Sequence, residues 1–230
     1  MPKATAEWPP CPLLREVVAR RRVLLPNGEE RDLVANIGSA SSAALYQTVL
    51  HERPGVVIEV GMAQGISTLS ILAALNQTGG RLISIDPYYT WPSARLAALY
   101  SVERAGFSAF HQHIQAPSYE ALPHLLAQGI SPQMGYIDGA HDFGNCFIDF
   151  FYLDLMLPVG GMIGFNDAGW LSVHRVIRFL EKHRHYAEQD VGLAASYTGR
   201  NVVVSAGRWL LRMPRQDRYF RKLQTSSANA

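Results

Sequence analysis

Asp138, His141, Asn166 and Asp167 are the residues of this sequence best suited to carry chemistry. Asp138 and His141 stand three positions apart in YIDGAHDF, and Asn166 and Asp167 are adjacent in GGMIGFND. Each pair follows a short apolar run, the pattern of a strand end. An imidazole of ordinary pKa, about 6.5, accepts a proton at neutral pH, so His141 is the expected general base. Two carboxylates and an amide oxygen are hard ligands, suited to an octahedral Mg2+ that keeps waters or takes substrate oxygens. Asp138, Asn166 and Asp167 are therefore the expected metal set. The plainer alternative has Asp138 positioning a ligand amine and Asp167 capping the next helix. His111, His113, His174, His183 and His185 lack such a setting and are read as surface or partly buried residues. Asp142 is read as the start of a helix rather than as a partner of His141.

A second constellation lies upstream, in VIEVGMAQGIST. Gly61 and Gly65 allow a tight turn and close approach of a ligand to backbone. The helix that follows aims unpaired N–H groups at that ligand, and Ser67 or Thr68 is placed to cap it. The spacing is G-x-x-x-G, with no Lys-Ser/Thr after the second glycine, which disfavours cradling of a pyrophosphate. Asp86 ends the next apolar run, 21 residues beyond Gly65, where a carboxylate accepts hydrogen bonds from both hydroxyls of a ribose. Turn and acid together describe a nucleoside-containing ligand.

These residues need a frame, and the chain supplies one by alternation. The continuous apolar run at 55–60 reads as a strand buried on both faces, and 81–86, 107–114, 134–138 and 160–167 read as four further strands. Helical spacing follows at 67–77, 92–105, 118–128, 143–157 and 171–183, with another helix at 40–52 ended before Pro54. Such alternation implies right-handed crossovers and a mostly parallel sheet, whose ligands bind at the carboxyl ends of the strands. Near the end, VGLAASYTGRNVVVSAG reads as a hairpin turning at Thr198-Gly199.

The 230 residues fit one large domain, and 48% apolar content is ample for its core. No run long enough to span a membrane and no signal-peptide apolar region is seen. Cys11 and Cys146 make no disulfide framework, so a reducing, cytoplasmic setting is expected. Net charge is +2, yet from residue 206 onward six bases face the single acid Asp217, leaving the rest at −3. Trp209, Leu210, Leu211, Tyr219 and Phe220 interleave with those bases, which favours docking on the domain or on a second subunit over contact with nucleic acid.

E-V-G-x-x-x-G-x-S-T followed by I-D-P resembles motif I and the acidic strand end of class I S-adenosylmethionine-dependent methyltransferases. YIDGAHDF and LPVGGMIGFNDAGW resemble the I-D-G-x-H and L-x-x-G-G-x-I-x-x-D-D segments of the small-molecule O-methyltransferase branch, of catechol or macrolide-sugar type. The resemblance covers about residues 35–205. It implies a Rossmann-like doubly wound α/β fold, seven-stranded and mostly parallel, with a C-terminal antiparallel hairpin. It divides the chain into an N-terminal arm (1–36), the donor-binding domain (37–206) and a basic tail (207–230). It further implies that Glu59, Gly61, Ala63, Gly65 and Ser67 serve the methionine end of S-adenosylmethionine, Asp86 its ribose and Ser118, in QAPSYEAL, its adenine. Asp138 then serves both cofactor and metal. Gln115 stands where relatives often carry an acid, and Asn166-Asp167 reverse the order of the catechol-type pair. The expected acceptor is a hydroxyl on a small molecule, and a homo-oligomer is compatible with the sequence. Metal-independent N- or O-methylation, or a non-catalytic nucleoside-binding module, stands as the alternative. Tyr88, Tyr89, Trp91 and Trp170 are positioned to shape the acceptor pocket, and SASS (39–42) to close over the methionine end.

Overall fold

The computed structural model describes residues 8–34, 37–211 and 213–225. The strands β3 (Val56–Val60), β4 (Arg81–Ile85), β5 (His111–Ile114), β6 (Met134–Ile137) and β7 (Met162–Phe165) pair in parallel. β8 (Tyr186–Gln189) and β9 (Arg218–Lys222) complete a seven-stranded sheet in the order β5-β4-β3-β6-β7-β9-β8, with β9 antiparallel to both its neighbours. A small hairpin, β1 (Arg22–Leu24) and β2 (Glu30–Asp32), stands apart from it.

Alternation along each strand sends successive side chains to opposite faces, and here both faces are covered. Val57, Leu82 and Tyr219 join a core with α1 (Pro12–Arg20), α2 (Ser39–Glu52), α3 (Ile66–Thr78) and α4 (Pro92–Arg104). Ile58, Ile83 and Phe220 join the opposite core with α5 (Ser118–Ala127), α6 (Phe143–Met156) and α7 (Leu171–His183). Among the described residues no helix is long and apolar enough to cross a membrane, and both cysteines are buried thiols.

The N-terminal arm packs into the first core, where Leu14 is fully buried and Val17, Val23 and Leu33 lie beside it. Three expectations are corrected. The expected hairpin at Thr198-Gly199 is absent. Val202–Leu210 instead forms the helix α8, started by Asn201, whose side-chain oxygen accepts from Val204 N at 2.9 Å. The antiparallel pair is β8 with β9, and β9 comes from the stretch read as a basic tail. Its bases are hidden by partners. Arg218 pairs with Glu181 and Glu188 at 2.7 and 2.6 Å, Arg221 with Glu52 at 2.7 Å, and Lys222 with Asp154 at 3.3 Å. The third strand is also shorter than expected, because residues 108–110 make a single 3-10 turn.

An inner strand and a free tail respond differently to truncation of an apolar side chain. Phe220 is 1% exposed, so Phe220→Ala is expected to lower stability by about 3–5 kcal/mol. Urea unfolding of the two proteins measures this, and an unchanged midpoint contradicts the placement of β9.

Candidate active site

Register assembles the site. Val60 pairs with Ile85 on one side and with Ile137 on the other, and Ile137 pairs with Phe165. The residues one step further, Asp86, Gly61, Asp138 and Asn166, therefore lie abreast at the carboxyl edge. The ladder continues through them: Gly61 N donates to Ile85 O at 2.9 Å, Asp138 N to Val60 O at 2.8 Å and Asn166 N to Ile137 O at 2.9 Å. On the far side Phe165 pairs with Arg218, so antiparallel β9 brings Asp217 to the same row. The strand order reverses between β3 and β6, the place where sheets of this kind open a crevice.

That crevice is a cleft of about 660 Å³ lined by Gly61, Ala63, Ser67, Asp86, Ser118, Asp138, His141, Asn166 and Asp167. Gly61 has φ +90°, and a Cβ there would lie 2.1 Å from Asp138 O; only glycine fits. Ala63 also takes a left-handed conformation, φ 45°. Asp86 fastens this turn, accepting from Met62 N, Ala63 N and Tyr88 N, each at 3.0 Å. Tyr88 closes the loop by donating its hydroxyl to Ala63 O at 2.6 Å.

Two of the expected ligand-contacting residues do not line the cleft. Glu59 is fully buried and accepts from Thr68 and Ser84, each at 2.7 Å. Burial pushes its carboxyl up to about 7, against the pull of the Ser67, Ser84 and Thr68 hydroxyls. Thr68 is spent on Glu59 rather than on a cap, and α3 begins at Gly65 with no side-chain cap. Gly65 faces α4, where a Cβ would meet Ala98 at 3.3 Å, so it sets helix packing.

At the reaction end His141 Nε2 lies 3.1 Å from Asp167 Oδ2 and 3.8 Å from Asp138 Oδ1. The approach is off the line of a hydrogen bond, and this buried nitrogen has no directed partner. Asp167 has φ 50°, and it does not cap α7, which starts at Trp170 without a side-chain cap. Asp142 caps α6, accepting from Asn145 N at 3.0 Å. Burial holds the Asp138 carboxyl well above the usual range, and the charges of Asp217, Glu59, Asp167 and Asp86 add to it.

The three residues expected to hold a metal, Asp138, Asn166 and Asp167, share the cleft; Asn166 donates its amide N–H to Asp217 Oδ1 at 3.0 Å, a bond that does not use the carbonyl oxygen a metal would take. Among the described residues no three His, Cys, Asp or Glu side chains are arranged to hold an ion. His141 lies within ion-pair reach of both carboxylates.

Asp217 is the functional residue that sequence reasoning missed. It is 4% exposed and also accepts from Tyr136 Oη at 2.9 Å. Burial raises its carboxyl to about 6, against hydrogen bonds from Tyr136, Ser41 and Asn166. Ser41 thus reaches the site, while Ser42 meets Ser70 at 2.7 Å instead. Of the aromatic residues, Trp170 stands 5.1 Å from the His141 ring and Tyr89 lines the cleft. Trp91 lines a separate recess with Val23 and Gln64.

Residues 58–168 match the family model described as a methyltransferase domain. Among solved structures the fold is similar to the O-methyltransferase from Bacillus cereus in complex with SAH, with TM-score 0.67 and 15% identity over 92% of this chain and 90% of that one. It is also similar to cofactor-bound Rv0187 from MTB, with TM-score 0.65 and 16% identity over 91% and 89%. A third is the O-methyltransferase TomG from Streptomyces achromogenes, involved in tomaymycin synthesis and solved with SAM, with TM-score 0.63 and 15% identity over 82% of each chain. At such identities the likeness is one of fold. No curated protein matches the chain in sequence.

Beneath Ser118 lies Asp149, 1% exposed, with no directed hydrogen bond on either carboxyl oxygen. Burial pushes it up to about 7; the Ser118 hydroxyl pulls down and Asp142 pushes up. An unfolded aspartate releases its proton near about 3.9, so between that pH and 7 the folded state binds more protons. Stability contributed by Asp149 is then full at low pH and is lost as pH rises through this window. Asp149→Asn is expected to flatten the decline in unfolding free energy from pH 4 to pH 8. Denaturant titrations at several pH values check it, and an unchanged slope counts against the assignment.

Proposed function

We propose that this chain, whose residues 58–168 match the family model described as a methyltransferase domain, moves a methyl group from S-adenosylmethionine to a hydroxyl of a small molecule, with His141 as general base. The observation that carries this reading is the His141 Nε2 atom, buried at the cleft without a directed partner and flanked by two carboxylates. When bound, the donor supplies an electrophilic methyl group on a cationic sulfur, whose carbon–sulfur bond breaks as the carbon–oxygen bond forms.

The residues present fit that donor. A cleft in which carboxylates raise one another's proton affinity favours a cation, and Asp138 is the group most affected. Gly61 keeps backbone open to the methionine end. Asp86 already accepts three backbone N–H bonds, out of about four lone-pair sites on a carboxylate. It therefore has room for one ribose hydroxyl rather than both. Ser118 serves the adenine side of the same cleft.

For the acceptor, His141 takes the hydroxyl proton as the new bond forms, and Asp167 at 3.1 Å stabilises the resulting imidazolium. Asn166 is fixed by Asp217, which turns the amide's oxygen end away from β9. No step is assigned to magnesium.

Calorimetry with S-adenosylhomocysteine is expected to show one site per chain, and absence of binding sinks the proposal. His141→Ala should lower turnover by about 10²–10⁴-fold while donor affinity stays unchanged. Retained turnover shows that another group takes the proton. Activity should persist in a chelator; a loss restored by Mg2+ would instead assign the acids to a metal.

A further inference from the structure

Beyond Trp170 lies a second, shallower cavity of about 470 Å³, between α8 and the loop leading into α7. Its lining is apolar (Trp170, Leu171, Val204, Leu211 and Met213) apart from Arg208. The Arg208 Nη1 atom is shielded from solvent and has no hydrogen-bond partner. Among the described residues no carboxylate lies within ion-pair distance of this guanidinium. A Cβ on Gly169 would come within 2.6 Å of that same nitrogen, so the glycine leaves the space the guanidinium occupies. A buried donor without an acceptor costs about 1–3 kcal/mol, more when it is charged. A bound oxyanion removes that cost.

Trp170 joins this cavity to the reaction centre, because its ring stands 5.1 Å from the His141 imidazole and also walls the cavity. We propose that the cavity receives an anionic group of the methyl acceptor, paired with Arg208, while the apolar body of the acceptor lies along Trp170 towards His141. The proposal rests on the hydroxyl-methylation reading above and narrows its substrate class to hydroxyl compounds that carry a carboxylate, sulfonate or phosphate.

The test uses the full chain saturated with S-adenosylhomocysteine, which keeps probes out of the donor cleft. Anilinonaphthalene sulfonate, an apolar aromatic anion, is titrated by fluorescence against its uncharged parent, phenylnaphthylamine. The wild type should bind the sulfonate more tightly than the parent. Arg208→Gln should weaken sulfonate binding about 10-fold or more, the loss of one charged hydrogen bond, with the parent unchanged. Arg208→Lys, which keeps the charge, should retain part of the preference. A wild type without preference for the sulfonate, or variants that weaken both dyes alike or neither, overturns the proposal. The dyes are read without turnover, so failure of this test and failure of methyl transfer are separate results.

Discussion

The site depends on one constraint, the register of five adjacent strands. Asp86, Gly61, Asp138, Asn166 and Asp217 lie in one row because Val60, Ile85, Ile137, Phe165 and Arg218 are locked partners one step behind. What locks them is burial on both faces. A slip of one residue in β3 would exchange Ile58 and Glu59 between the two cores, placing a carboxylate among aliphatic side chains and separating it from Thr68 and Ser84. The buried glutamate inside motif I is thus a register pin. It makes the row reproducible without touching the ligand.

The same row concentrates negative charge where water is scarce. Asp86, Asp138 and Asp217 stand in it, with Glu59 behind and Asp167 beside. Each raises the proton affinity of Asp138. The fold tolerates this because most of these carboxylates are fastened by donors: three backbone N–H groups on Asp86, two hydroxyls on Glu59, and Tyr136 and Asn166 on Asp217. The remaining deficit of positive charge is a preorganised field, built at folding rather than at the moment of reaction. It favours a cationic ligand and, in the proposed methyl transfer, the imidazolium that takes up the positive charge as the sulfonium loses it.

The glycine turn and the strand-end acid of the cleft were legible in the sequence because their signals are local. A turn that only glycine fits, an acid at a strand end and apolar runs of strand length all read without tertiary knowledge. The β9 side of the row was not, and the reasons are physical. RYFRK looks like a solvated basic stretch, yet its charges are neutralised by glutamates and an aspartate from α2, α6, α7 and β8, so the strand hides behind long-range pairs. VVVSAG has the β-branched content of a strand, but the inner position beside β7 is taken by β9, and Asn201 starts a helix instead. Asp217 was invisible for the same reason. Its role exists only once β9 has turned antiparallel against β7.

That placement joins specificity to chemistry through a single residue. The excursion from β8 to β9, residues 190–217, leaves and returns at the carboxyl edge, and its last residue is Asp217 itself. The end of the excursion is therefore fixed by Tyr136 and Asn166, whereas its middle, α8, contains no buried residue. Side chains of α8 that face the second cavity can vary with little penalty to the core. Any displacement transmitted to Asp217, by contrast, would release the Asn166 amide in the cleft. The excursion is thus anchored at the cleft by Asp217 and loose where α8 faces the second cavity, so the shape of that cavity can change while the row of strand ends stays fixed.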